Sequence, residues 1–199
     1  MKIICIGRNY SEHAKELNNP IPKSPIFFVK PDTSLLRENL FYIPPFSNNI
    51  NFECEFVVKI CKVGKSISSE FAHKYFEEVS IGLDLTARDL QDKCKRNGYP
   101  WEISKSFDYS APIGKWLSKF SLSTEDFYLL KNGEIVQSSN TSQMIFDINT
   151  IISYVSKFMT LKKGDLIYTG TPSGVGRIKT GDNFLGYLDG IKCLDLSIK

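Results

Sequence analysis

Asn51-Phe52-Glu53-Cys54-Glu55-Phe56-Val57-Val58-Lys59 alternates Phe52, Cys54, Phe56 and Val58 with Glu53, Glu55, Val57 and Lys59, which is the period of a β-strand. Strand side chains change face at every residue, so Glu53 and Glu55 point the same way, roughly 6–7 Å apart, while Cys54 points away from both. Two like charges on one face have two readings: a solvated surface pair, or an enclosed pair converging on a cation. Taken alone, the pair favours the solvated face. A third carboxylate shifts that balance. Residues 79–85 read as a mostly apolar strand with Asp84 near its end, where a chain leaves a sheet and side chains gather into sites. Three carboxylates without an adjacent His or paired thiolates form a hard oxygen set, suited to Mg²⁺, Mn²⁺ or Ca²⁺ rather than zinc.

Working outward, 199 residues with 42% hydrophobic and 24% charged side chains describe one ordinary soluble domain over residues 1–199. The formal net charge of +3 is spread over interspersed Lys, Arg, Asp and Glu, so neither nucleic acid nor an anionic membrane is expected as a partner. No apolar run is long enough to span a bilayer, and the start at Lys2-Ile3-Ile4-Cys5-Ile6 has no signal-peptide pattern, so the expected location is the cytoplasm. Five cysteines without CxxC spacing read as buried free thiols.

In chain order, Asn9 with Glu12 suits a capping box for a short helix through Leu17, stopped by Asn18-Asn19-Pro20. About two turns are too few to persist alone in water, so residues 10–18 form a candidate lid. His13 and Glu16 stand three apart and share a face of it, either as a carboxylate orienting an imidazole or as a solvated pair. His73, in a charged amphipathic helix pattern around Glu70 to Glu78, reads as surface. Residues 25–31 form a short strand halted by Pro31, followed by polar loops up to Asn49. Thr86 and Asp89 suit the start of a helix ending before Gly98, with Arg88 and Gln91 on one side near Asp84. Lys105 would hold an anionic substrate if it faces the carboxylates. Lys131-Asn132-Gly133-Glu134 reads as a hairpin turn, residues 148–159 as an amphipathic helix after Asp147, and residues 166–168 as a strand. That strand empties into Thr169-Gly170-Thr171-Pro172-Ser173-Gly174-Val175-Gly176, a loop able to approach a ligand closely.

Gly7-Arg8-Asn9-Tyr10 with His13 and Glu16, Glu53-Cys54-Glu55, Asp84-Leu85-Thr86-Ala87-Arg88-Asp89, Lys105-Ser106-Phe107-Asp108, Thr141-Ser142-Gln143-Met144-Ile145-Phe146 and Thr169-Gly170-Thr171-Pro172 occur in one order. This ordered set resembles the fumarylacetoacetate hydrolase family, and the run Ile151-Ile152-Ser153-Tyr154-Val155-Ser156-Lys157 is similar to its acylpyruvase and oxaloacetate decarboxylase branch. The resemblance implies a mixed β-rich α/β fold, a rolled β-sheet with short flanking helices, in a homodimer. It implies Mg²⁺ or Mn²⁺ on Glu53, Glu55 and Asp84. His13 and Glu16 would be a water-activating lid dyad, Lys105 a catalytic residue, and Arg8, Arg88, Gln91 and Thr171 substrate contacts. The implied substrate is a small 2-oxo acid or 1,3-diketo acid, cleaved at a carbon–carbon bond to pyruvate and a carboxylic acid, with oxaloacetate decarboxylation or tautomerisation in the same pocket. Alternatives are an isomerase or decarboxylase of 2-hydroxy-dienedioates, and a non-catalytic binding module.

Overall fold

The computed structural model describes residues 1–16 and 20–199. The N-terminal third carries β1 (Ile3–Gly7), α1 (Ser11–Glu16), β2 (Ile26–Lys30), β3 (Leu35–Leu36), β4 (Leu40–Phe41), β5 (Ile50–Phe52) and β6 (Cys54–Ile60). The middle carries α2 (Ser69–Ala72), β7 (Phe76–Leu83), β8 (Thr86–Ala87), α3 (Arg88–Asn97), α4 (Glu102–Lys105), β9 (Ala111–Pro112) and β10 (Leu117–Ser118). The remainder carries β11 (Asp126–Lys131), β12 (Glu134–Asn140), α5 (Ile148–Phe158), β13 (Leu166–Tyr168), β14 (Gly176–Arg177), β15 (Asn183–Leu188) and β16 (Ile191–Ile198).

Among the described residues, a six-stranded mixed sheet runs β10-β7-β6-β13-β1-β2, and a five-stranded sheet runs β12-β11-β15-β16-β4. The first sheet is buried on both faces, which is why β1 reads as an unbroken apolar run. Ile4 and Ile6 join the main core, whereas Ile3 and Cys5 join a smaller cluster with Val57, Leu166 and Tyr168 on the other side. Aromatic contacts tie the five-stranded sheet to its neighbours: Phe56 of the six-stranded sheet lies 6.4 Å from Phe127 between ring centres, and Phe52, in a small sheet of order β14-β5-β8, lies 5.0 Å from Phe184. Phe56 is fully buried, so its replacement by Ala costs about 3–5 kcal/mol. Helix α5 buries Ile148, Ile151, Ile152 and Val155, the i, i+3, i+4, i+7 stripe of a helix on a core. The Asp147 carboxylate caps it by accepting from the Thr150 N–H at 2.7 Å.

Register explains why one end of the first sheet becomes a site. Strand β6 pairs antiparallel with β7, Cys54 opposite Leu83, and with β13, Val57 opposite Tyr168, while β1 runs parallel to β13. The entry to β6 therefore lies beside the exits of β7, β13 and β1, and Glu53, Glu55, Asp84, Thr169–Thr171 and Gly7–Arg8 converge there. Gly82, opposite Glu55, leaves room for Tyr168, whose ring would lie 2.6 Å from an added Cβ.

Several local expectations are corrected. The long strand breaks at Glu53 into β5 and β6, because the Glu53 carbonyl accepts from the Asp84 N–H at 2.8 Å instead of a sheet partner. The helix expected at Glu70 to Glu78 shrinks to α2, and Phe76 already belongs to β7. Its side chain is needed in the core. No capping box forms at Asn9: its amide donates to the carbonyls of Thr169 and Phe146 and accepts from the Phe146 N–H, tying the α1 entry to the loop after β13. Helix α3 starts at Arg88, not Thr86, whose hydroxyl donates to the Asp84 carbonyl. The stretch read as loops before Asn49 contains β3 and β4. The expected helix end at Leu17 and its Asn18-Asn19 stop lie outside the described residues. The other expected elements form, including the β11–β12 hairpin with positive φ at Asn132 and Gly133, and all five cysteines are free.

Candidate active site

Glu53, Glu55 and Asp84 are buried, and one carboxylate oxygen from each lies within 4.8 Å of the others. The solvated-face reading of the Glu pair is thereby excluded. Their counter-charges are unevenly distributed. Lys105 Nζ donates to Glu53 Oε2 at 2.8 Å, to Asp84 Oδ2 at 2.7 Å and to Thr86 Oγ1 at 2.6 Å. Arg88 pairs with the other Glu53 oxygen and donates to Gln91 Oε1 at 2.6 Å, rather than pairing with Asp89 or Asp92. Burial alone would raise the Glu53 pKa, but the Lys105 and Arg88 cations outweigh it and hold the carboxyl well below the usual range. Burial would likewise lower Lys105, yet Asp84 and Glu53 raise it and keep the ammonium charged.

Glu55 is the unbalanced member. It accepts the Gly170 N–H at 2.7 Å but forms no ion pair among the described residues. Burial and the neighbouring Asp84 carboxylate push it well above the usual carboxylate range. Gly170 has φ 102° and meets Asn9 Cβ at 2.7 Å from any added Cβ, so only glycine brings that N–H to Glu55. Asp84 Oδ1 has no hydrogen bond, although Lys30 Nζ lies 2.8 Å away as an ion contact. A cluster of three buried carboxylates, one of them lacking a cation, fits a hard divalent ion.

The remaining predicted residues surround this cluster. His13, Arg8, Arg88, Gln91, Lys105 and Thr171 line one cleft with the three carboxylates, walled by Phe28 and Trp101. Helix α1 carries His13 into it, buried, with Nδ1 3.0 Å from Glu16 Oε2. Glu16 is itself held by the Gly174 N–H at 3.1 Å. A carboxylate on Nδ1 favours the tautomer that leaves Nε2 as the basic nitrogen. Arg8 sits at φ 59°, a left-handed conformation uncommon for any residue bearing a Cβ. His73 is exposed, as expected.

Three residues escaped the sequence reading. Lys30, with no exposure, contacts Asp84 and donates to the Lys105 carbonyl and to Ser110 Oγ at 2.9 Å. Its signal was a Lys closing an apolar strand before Pro31. Gln137 accepts from the Cys54 N–H at 2.8 Å and donates to Thr171 Oγ1 at 2.9 Å and the Pro172 carbonyl at 2.8 Å. Nothing local marks it, because its partners come from β6 and the loop after β13. Lys95, near the end of α3, is also on the cleft wall.

The family model for the fumarylacetoacetate (FAA) hydrolase C-terminal domain matches residues 2–198. The chain belongs to the fumarylacetoacetate hydrolase family. Its β-rich mixed-sheet fold with short helices is that of solved family structures. The fumarylpyruvate hydrolase of Pseudomonas aeruginosa, in complex with Mn²⁺ and pyruvate, is 36% identical with a TM-score of 0.94, over 100% of this chain and 89% of that one. The 2-hydroxyhepta-2,4-diene-1,7-dioate isomerase of Mycobacterium marinum is 32% identical with a TM-score of 0.85, over 99% and 73%. Among curated family members, the mitochondrial oxaloacetate tautomerase FAHD1 of Mus musculus is 40% identical over 201 residues, covering 99% of this chain and 91% of that protein. These fumarylacetoacetate hydrolase relatives are enzymes named for small oxo acids and hydroxy-dienedioates. No helix among the described residues is long and apolar enough to cross a membrane.

Proposed function

We propose that this chain is a Mg²⁺- or Mn²⁺-dependent hydrolase of 3-acylpyruvates and related 1,3-diketo acids, releasing pyruvate and a carboxylic acid, with oxaloacetate decarboxylation and tautomerisation open to the same site. One observation carries the reading: His13 with Glu16 and Lys105 with the acidic triad face a single cleft from different elements. A binding module has no need of that dyad.

Glu53, Glu55 and Asp84 would hold the cation, which when bound supplies a Lewis acid to the 2-oxo acid end of the substrate. Arg8, Arg88, Gln91 and Thr171 orient that substrate. His13 Nε2 takes a proton from water as its oxygen bonds to the distal carbonyl carbon, and Glu16 holds the ring in the required tautomer. The bond between that carbon and the methylene then breaks, and its electron pair becomes the pyruvate enolate. Lys105 takes up the charge developing on the C2 oxygen. A proton finally returns to the methylene carbon, giving pyruvate. Oxaloacetate can yield the same enolate by losing carbon dioxide, with no attacking water.

The cleft encloses only about 40 Å³, room for a few waters, so substrate entry requires α1 or the Lys105 side chain to move. This supports the reading of α1 as a lid. The family likeness supports a homodimer, tested by light scattering. The deciding assay is ultraviolet loss of the acetylpyruvate enol with Mg²⁺ and with a chelator, beside the same test on oxaloacetate. Metal-dependent loss of acetylpyruvate is the expected result; turnover of neither substrate refutes the proposal.

A further inference from the structure

Gln137 is a buried amide with both of its polar atoms engaged, and its partners come from the start of β6 and from the loop after β13. Strand β12 delivers it through a bulge. Leu130 stands opposite Ile135 and Leu129 opposite Gln137, so Val136 is the extra residue on β12, and such an insertion re-aims the neighbouring side chain. The loop after β13 rides directly on this bulge: a Cβ on Gly174, at φ 98°, would lie 2.1 Å from the Val136 carbonyl oxygen.

The direction of each hydrogen bond follows from the partners. The Cys54 N–H, 2.8 Å away, only donates, so it faces Oε1. The Pro172 carbonyl, 2.8 Å away, only accepts, so it faces Nε2. These two partners fix which way the amide points. Thr171 Oγ1 lies 2.9 Å from the same nitrogen and therefore accepts from it. A hydroxyl has one proton of its own to place. Among the described residues, the acceptor in reach of that proton is the Pro172 carbonyl at 3.5 Å, which Gln137 already occupies at the shorter distance. Thr171 is buried and lines the cleft beside Arg88, Gln91 and Lys105, so its proton is left for an acceptor inside the cleft. An unconstrained threonine hydroxyl rotates to offer a lone pair or a proton alike; this one is committed before a ligand arrives.

We propose that Gln137 is a positioning residue: by donating to Thr171 and occupying the Pro172 carbonyl, it commits the Thr171 hydroxyl to donate to an anionic oxygen of the bound substrate. The assignment rests on the reading of the cleft as a 2-oxo acid site and explains how one of its contacts is set from behind the cleft wall. Gln137 touches no substrate. Without it, the Thr171 proton turns to the vacated Pro172 carbonyl and is lost to the ligand.

The test is a double-mutant cycle on the Mg²⁺-loaded protein, read by acetylpyruvate kinetics and by oxalate calorimetry. Gln137→Met should raise the acetylpyruvate KM and the oxalate Kd by about tenfold each, the scale of one hydrogen bond to a charged group, with kcat little changed. Thr171→Val should do the same. The double variant should be no weaker than either single variant, because Gln137 acts only through that hydroxyl, whereas independent effects would multiply to about a hundredfold. Gln137→Asn, which keeps an amide but withdraws it by one methylene, runs the same cycle if the Met variant fails to fold. A fall in kcat and melting temperature with KM and Kd unchanged, or losses that multiply in the double variant, overturns the positioning role while leaving the active-site reading intact. A parent that neither binds oxalate nor turns over acetylpyruvate overturns both.

Discussion

Replacing Lys30 by Met keeps much of the side-chain volume but removes an ammonium that has no solvent exposure. That ammonium donates to Ser110 Oγ at 2.9 Å, to the Ser110 carbonyl at 3.1 Å and to the Lys105 carbonyl, and lies 2.8 Å from Asp84 Oδ1. The Lys105 carbonyl would keep a donor, since Ser110 Oγ also reaches it at 2.9 Å. Asp84 Oδ1 would keep none, because Lys105 bonds only the other oxygen. The dominant cost is a half-stranded buried carboxylate, and breaking a buried ion pair from one side costs about 3–5 kcal/mol. Against a usual total of about 5–15 kcal/mol, and at about 2–4 °C per kcal/mol for a chain of this size, the melting temperature should fall by roughly 6–20 °C. Thermal unfolding followed by circular dichroism measures that fall, and urea unfolding measures the free-energy deficit, each in EDTA and at saturating Mn²⁺. The deficit should shrink in Mn²⁺, because a cation on the triad gives Asp84 a new partner. A loss below about 1 kcal/mol in EDTA would refute the claim that Lys30 holds the site together, and an identical deficit in both buffers would remove Asp84 from the metal shell.

His13→Ala should slow acetylpyruvate hydrolysis by about 10²- to 10⁴-fold and oxaloacetate decarboxylation clearly less, since only the first needs an activated water; equal kcat/KM losses with the fold intact would reassign the dyad to lid closure or enolate protonation. Glu53→Gln and Asp84→Asn should each weaken Mg²⁺ binding and abolish turnover while the protein stays folded, and calorimetry showing undiminished affinity would drop that residue from the ligand set. Amide hydrogen exchange over residues 10–16 should be fast in the free protein and slowed by oxalate with Mg²⁺, because six helical residues cannot hold a helix alone. Exchange that is slow from the outset and indifferent to oxalate would argue against a lid.

The sequence by itself determined the features that repeat locally or follow one another in order. Alternation put Glu53 and Glu55 on one face, and helical spacing joined Arg88 to Gln91 and His13 to Glu16, because strand and helix geometry fix which neighbours share a side. Turn and cap chemistry marked the Asn132-Gly133 hairpin and the Asp147 helix start, and the ordered motifs resembled one family. Where local signals competed with burial, tertiary structure decided. Phe76 left its helical pattern for the core strand β7, Asn9 left its cap for the loop after β13, and the strand through Glu53 broke to meet Asp84. The choice between a solvated and an enclosed acidic pair was equally beyond the sequence, since it depends on three strands and two buried lysines brought together by register. Gln137 carries no local mark for the same reason, and Lys30 only that of a Lys closing an apolar strand. Their partners lie 83 residues away at Cys54 and 54 away at Asp84, and a contact between distant residues leaves no periodicity in the chain.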